Sequence, residues 1–163
     1  MILSNTAILR ALDEGRLIIT PEPSPRVPGG EVECPYNSSS VDLRLHNEFS
    51  TPKRGQPFSI DLSRGKFAGY FNAENFDTHT VPQGQVFTLE PRQFVLSQTL
   101  ETVEFPIKEG SVPLAARVEG RSSWARCGLL VHFTAPTIHA GFKGPIILEI
   151  CNLGPATISL RPG

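Results

Sequence analysis

Prolines and glycines interrupt this chain so often that a long helix has nowhere to form. With 15 prolines and 14 glycines in 163 residues, the apolar residues fall into short runs. Each run is bounded by residues that lack an amide donor or enter turns freely. Such punctuation favours short strands in a barrel or sandwich over a helical bundle. Strand-like runs occur at Leu17–Ile19, Val41–Leu45, Gln85–Leu89, Phe94–Leu100, Leu129–Phe133, Ile146–Cys151 and Thr157–Leu160. One helix is expected at the start, where Ser4 or Asn5 caps, Ala7, Ile8, Ala11 and Leu12 form an apolar stripe, and Gly15 suits the left-handed position after the last turn.

With 39% hydrophobic and 19% charged residues, residues 1–163 are read as one domain with a real core and no internal repeat. The segment Pro21–Gly30 reads as a polyproline-like connector and the least ordered part of the chain. A second irregular stretch is expected from Ser63 to Thr80, with Phe67, Tyr70, Phe71 and Phe76 covering a core or a subunit contact. No run of about 18 apolar residues and no basic-then-apolar leader is present, so neither a membrane span nor a secretory signal is expected. Three cysteines without a pairing pattern read as free thiols, and the expected compartment is the cytoplasm. A net charge of −1 without a basic tract argues against a duplex nucleic-acid partner.

The chemistry concentrates between Arg117 and Asn152. Arg117, Arg121 and Arg126 surround Gly120, Ser122 and Ser123. Guanidinium forks bind phosphate oxygens in pairs, hydroxyls add neutral donors, and glycine lets backbone approach an anion. A polyphosphate fits such a lining, and an ordinary solvated turn is the alternative. Downstream, strand alternation sets Ile146, Leu148 and Ile150 on one face and Ile147, Glu149 and Cys151 on the other. A carboxyl among apolar neighbours is tuned toward neutrality and can act as a general base, unless it points to solvent from an edge strand. A structural or catalytic zinc site is not expected. The His-x-Glu and Pro-Cys-x-x-Cys elements of a zinc deaminase are missing, and His46, His79, His132 and His139 form no ligand pair with one another or with Cys34, Cys127 and Cys151.

The run Val118–Leu129, then Val131-His132-Phe133-Thr134-Ala135, Gly141-Phe142-Lys143-Gly144 and Leu148-Glu149-Ile150-Cys151-Asn152, resembles the dCTP deaminases of the trimeric dUTPase superfamily. The early run Ser40-Val41-Asp42-Leu43-Arg44-Leu45 and the opening Asp13-Glu14-Gly15-Arg16-Leu17 extend the resemblance over nearly the whole chain. It implies a mostly β fold, a dUTPase-like distorted β-barrel or jelly roll (β-clip) with a short N-terminal helix. It implies a homotrimer with sites at subunit interfaces, a dCTP or dUTP nucleotide, and Mg²⁺ carried on the triphosphate without zinc. Glu149 matches the catalytic glutamate that activates water for attack on C4 of cytosine. Arg121, Ser122, Ser123 and Arg126 match the residues that hold the triphosphate, with Ser122 and Arg126 also organising the catalytic water. Ala125, Ala135, His139, Ile147 and Leu148 complete the matched substrate contacts.

Three positions depart from the family pattern. His139 replaces a usual aspartate, which argues against dUTP diphosphatase chemistry. Trp124 replaces a smaller aliphatic and reads as a packing residue at a subunit contact. The sequence stops at Leu160-Arg161-Pro162-Gly163, where the family continues with a strand and a nucleotide-covering tail. The leading expectation is deamination of dCTP to dUTP and ammonia. A non-catalytic nucleotide-binding or assembly protein of the same fold is the second, and a dUTP diphosphatase or bifunctional enzyme the third.

Overall fold

The structure is a computed structural model, and it describes residues 2–53, 55, 61, 63 and 75–163. Helix α1, Asn5–Asp13, opens the chain. Ser4 caps it by accepting from the Ala7 amide, and Gly15 takes φ +60° after the last turn. Its apolar stripe buries Ile8 and Ala11.

The remaining elements are β1 (Ile18–Thr20), β2 (Glu48–Pro52), β3 (Phe76–Thr80), β4 (Phe87–Leu89), β5 (Phe94–Glu104), β6 (Ala116–Arg117), the single turn α2 (Ser122–Ala125), β7 (Leu129–Leu130), β8 (Thr137–Ile138), β9 (Lys143–Asn152) and β10 (Ile158–Leu160). The expected mostly β architecture with a short N-terminal helix is what the chain adopts. Six strands form one antiparallel sheet in the order β3-β2-β5-β9-β7, with β1 also on β5; β4 pairs β10, and β6 pairs β8.

Strand β5 organises the interior. Its odd-numbered residues from Val95 to Val103 are buried and its even-numbered ones are more exposed. Near one end Val95 joins Phe49, Leu89, Leu129, Ile150 and Leu160 in one apolar cluster. Near the other, Val103 joins Ile8, Ala11, Leu17, Ile19, Tyr36 and Ile138 in a second. Between them lie Ser97, Thr99 and Glu101, buried and polar, and each is satisfied. Ser97 donates to the Glu48 carbonyl (2.8 Å), and Thr99 donates to the Glu101 carbonyl (2.7 Å). Glu101, fully buried, accepts from Arg44 Nε (2.7 Å) and from the Arg44 backbone amide (2.9 Å).

The pairing of β5 with β9 shifts between Gln98 and Thr102, where β5 takes four steps while β9 takes two, from Ile147 to Pro145. An even surplus keeps side chains on their own faces. Thr99 Oγ1 accepts from the Ile146 amide there, at 2.9 Å.

Several sequence expectations are corrected. Val41–Leu45 is not a strand: only isolated bridges at Val41 and Leu45 form, because the Asp42 amide donates to the Pro35 carbonyl and the Arg44 amide to the Glu101 carboxylate. Leu129–Phe133 stops as a strand at Leu130, and the next residues turn toward the cavity described below. Phe76–Thr80 is a strand, not an irregular stretch, because it pairs along all of β2 and buries Phe76. Phe67, Tyr70 and Phe71 lie outside the described residues. Pro21–Gly30 is no loose connector. Arg26 ties it down through Glu22 (2.5 Å) and Asp13 (2.6 Å), and Pro23 is buried. Beside this cluster, burial pushes the Tyr36 hydroxyl up to about 12.

Two predictions follow from these polar contacts. Arg44→Ala strands the buried Glu101 carboxylate and should cost about 3 kcal/mol in urea unfolding; a loss below about 1 kcal/mol would contradict the role given to the pair. The Arg26 hydrogen bonds hold the Glu22 carboxyl below its usual 4.5, so their contribution is full above that value and is lost as pH falls through the lowered one. Because the pair is part-exposed, Arg26→Ala should lower stability only slightly at neutral pH, seen as a small drop in the urea midpoint. The difference from the unaltered protein should shrink between about pH 5 and pH 2, and a difference that ignores pH would contradict it.

Candidate active site

Glu149 lies on β9 opposite Leu96 of β5 and is half-buried. Alternation holds at the centre of the strand: Leu148 and Ile150 turn into the core, while Ile147 and Glu149 face a cavity of ≈ 480 Å³; Ile146, expected on the core face, reaches both a core cluster and this cavity, and Cys151 is buried away from it. Its walls are largely apolar, from Val118, Ile138, Phe142, Pro145 and Ile146, and its polar side chains are His132, Thr137, His139 and Glu149. That size and lining suit a small organic ligand held by a few polar groups. One carboxylate oxygen of Glu149, Oε2, accepts from the Phe133 amide at 3.1 Å, which fixes the carboxylate and leaves Oε1 for another donor. A hydrogen-bonded carboxylate at an apolar wall can accept a proton from water and return it to a neighbouring atom.

Of the expected contacts, Ala135, His139, Ile147 and Glu149 line this one cavity. Leu148 does not; its side chain packs on the core. Arg121, Ser122, Ser123, Ala125 and Arg126 do not either. They form α2 and its flanks, all exposed. Sequence reasoning named His132 only in excluding zinc and within the matched run Val131–Ala135, and gave it no role. It lines the cavity, and its buried Nδ1 has no hydrogen-bond partner among the described residues. The sequence signal that could have found it is its place in that run, next to Phe133, whose amide reaches Glu149.

Around α2, the chain closes Trp124 and Ala125 amides onto the Arg121 carbonyl, both at 3.0 Å. The Arg121 guanidinium pairs with Asp42, stands 3.7 Å from Glu33, and lies 5.3 Å from the Trp124 ring centre. The Arg126 guanidinium is exposed and has no ion-pair partner among the described residues. Two exposed cations and two hydroxyls on one short turn can bind an anion, Arg121 at the cost of sharing Asp42. Among the described residues no three His, Cys, Asp or Glu side chains converge to hold a metal ion. No described helix is long and apolar enough to cross a membrane. A second, more open hollow of ≈ 650 Å³, lined by Thr51, Pro52, Asp77, Arg92, Gln93 and Phe94, takes in none of the sequence-derived residues.

A model of the dCTP deaminase-like family matches residues 2–163. A dUMP-forming dCTP deaminase of Methanobrevibacter smithii is 38% identical over 162 residues, 99% of this chain and 75% of the relative. A dCTP deaminase of Natronomonas pharaonis is 39% identical over 163 residues, 100% of this chain and 75% of the relative. In fold, the chain resembles the crystal structure of 2′-deoxycytidine 5′-triphosphate deaminase from Agrobacterium tumefaciens, with a TM-score of 0.64 at 21% identity, over 99% of this chain and 44% of that one. A match from residue 2 to residue 163, with relatives at 38% and 39% identity over the same length, shows that the chain belongs to the dCTP deaminase-like family.

Proposed function

We propose that the protein deaminates dCTP by adding water, with Glu149 as the general base. The observation that carries this reading is the Glu149 carboxylate, anchored by the Phe133 amide on the wall of a cavity that also presents Ala135 and Ile147. Water adds to C4 of the cytosine ring as Glu149 takes its proton. Glu149 returns that proton to ring N3, and then moves the remaining hydroxyl proton to the departing amino group. The C4–N4 bond breaks, ammonia leaves and a C4 carbonyl remains. Proton transfer by a placed carboxylate accounts for the chemistry without a metal-bound hydroxide, and zinc has no role in the proposal.

The triphosphate is assigned to Arg121, Ser122, Ser123 and Arg126, with Mg²⁺ riding on the phosphate oxygens. Ala125 and His139 are assigned to the nucleotide's surroundings, and Leu148 contributes through its backbone. Since α2 does not line the cavity of its own chain, each site is proposed to combine Glu149 of one subunit with α2 of another, in a homotrimer. The product is dUTP, feeding pyrimidine deoxyribonucleotide metabolism in the cytoplasm. A second reading, in which dUMP and pyrophosphate form, is favoured by the dUMP-forming relative from M. smithii. His139, in place of the family's usual aspartate, weighs against it.

Two substitutions separate chemistry from binding. Glu149→Gln should keep dCTP affinity within about threefold while ammonia release falls by about a thousandfold; unchanged turnover would remove Glu149 from the mechanism. Arg121→Ala should weaken dCTP binding by about tenfold to a hundredfold, as expected for loss of a charge-assisted phosphate contact. Equal affinity before and after would refute its phosphate role.

A further inference from the structure

We infer that Asn152, with the facing pair Gly128 and Gly154, is a positioning device that fixes the α2 anion-binding turn against β9 of its own chain, and so fixes how α2 is presented to the Glu149 cavity of a second copy. The inference rests on the deaminase reading above.

Asn152 ends β9, three residues beyond Glu149, or ~10 Å along an extended strand. It is fully buried and every polar atom it carries is used. Its Nδ2 donates to the carbonyls of Leu89 (3.0 Å) and Ala156 (2.8 Å), and its Oδ1 accepts from the Gly154 amide (3.0 Å). Its backbone amide donates to Gln93 (3.1 Å), and its carbonyl accepts from Arg92 (2.7 Å). Arg92 holds the left-handed conformation at φ +64°, uncommon for a residue with a side chain, while making that last bond. Asn152 thus joins the β4–β5 turn, β9 and the approach to β10 in one knot.

The α2 turn is pinned to the same knot. Gly128, two residues past Arg126, accepts from the Leu153 amide at 2.8 Å. It adopts φ +92°, and a Cβ on it would stand 2.2 Å from the Gly154 nitrogen. A Cβ on Gly154 would stand 2.2 Å from the Cys127 carbonyl oxygen. Both contacts are backbone against backbone, so no side-chain rotation relieves them. Only glycine at both positions allows the end of α2 to rest directly on the β9–β10 turn. The surroundings need no such closeness for burial, since Leu153 is exposed and so are α2 and Cys127. What the contact does fix is where Arg121, Ser122, Ser123 and Arg126 stand relative to β9. A methyl at Gly154 would lift α2 off the turn and leave the Glu149 cavity in place.

The test compares the unaltered protein with Gly154→Ala, both under conditions where circular dichroism shows them folded. Affinity for dCTP with Mg²⁺ is read by calorimetry and affinity for deoxycytidine, which has no phosphate, by NMR titration. The expected result is a loss of tenfold or more for dCTP with deoxycytidine within twofold. A general loss of structure would lower both alike, so parallel losses overturn the inference, as does an unchanged ratio. If Gly154→Ala does not fold, hydrogen exchange on the unaltered protein decides. Saturating dCTP should slow exchange of the Leu153 amide at least fivefold and deoxycytidine should not, because a ligand held by a positioned α2 favours the closed contact. Equal exchange with both ligands overturns it. Absence of any dCTP binding by the unaltered protein would sink the deaminase reading itself, and this inference with it.

Discussion

The antiparallel ladder between β5 and β9 is the constraint on which the rest of the molecule depends. It carries an apolar cluster toward each end, through Val95 and Ile150 at one and Val103 at the other. Its middle is polar and buried, and it survives there because Ser97, Thr99 and Glu101 each find partners. The register shift between Gln98 and Thr102 frees the Ile146 amide, and Thr99 accepts it. By keeping the face alternation intact across that shift, the ladder turns Ile147 and Glu149 to the cavity and Leu148 to the core. Glu149 is therefore placed by a rigid strand and not by a loop, which is what a proton-transfer group needs if its geometry is to be held ready.

The parts of this arrangement that could be read beforehand are those in which one residue type dominates a periodic run. Ile146-Ile147-Leu148-Glu149-Ile150 announces a strand with one carboxylate on a chosen face, and Ser4 with Gly15 brackets the helix. The parts that could not be read depend on distant partners. Strands β2 and β3, Glu48–Pro52 and Phe76–Thr80, are mostly polar and become strands because each pairs with the other and β2 with β5. Val41–Leu45 has the composition of a strand, but the Arg44 amide is taken by the carboxylate of Glu101, far along the chain. Pro21–Gly30 looks detached until Arg26 is seen bound to Glu22 and Asp13. At the site, Glu149 was legible as chemistry and Ala135 only through the family resemblance, whereas His132 was given no role, since only the turn after Leu130 brings it to the cavity.

The proposed reaction divides the labour between two places. The acid/base group sits in a part-enclosed, apolar-walled cavity where water can be limited, and the cations sit on an exposed turn that an anion can reach. In one chain the two do not share a cavity, yet they are joined through β7, the Gly128–Gly154 contact and Asn152. A protein built this way can complete its site with a second copy while each copy keeps the spacing of what it donates. If a phosphate binds at α2 as proposed, it must displace or share Asp42 on Arg121, so charge on the ligand and not shape alone would select what binds there.

The most direct measurement is to incubate the purified 163-residue protein with dCTP and Mg²⁺, following ammonia while separating the nucleotides. A deaminase working through Glu149 releases ammonia and a deoxyuridine nucleotide in equal amounts, with dUTP as the nucleotide formed. Recovery of dCTP unchanged, with no ammonia, would contradict it.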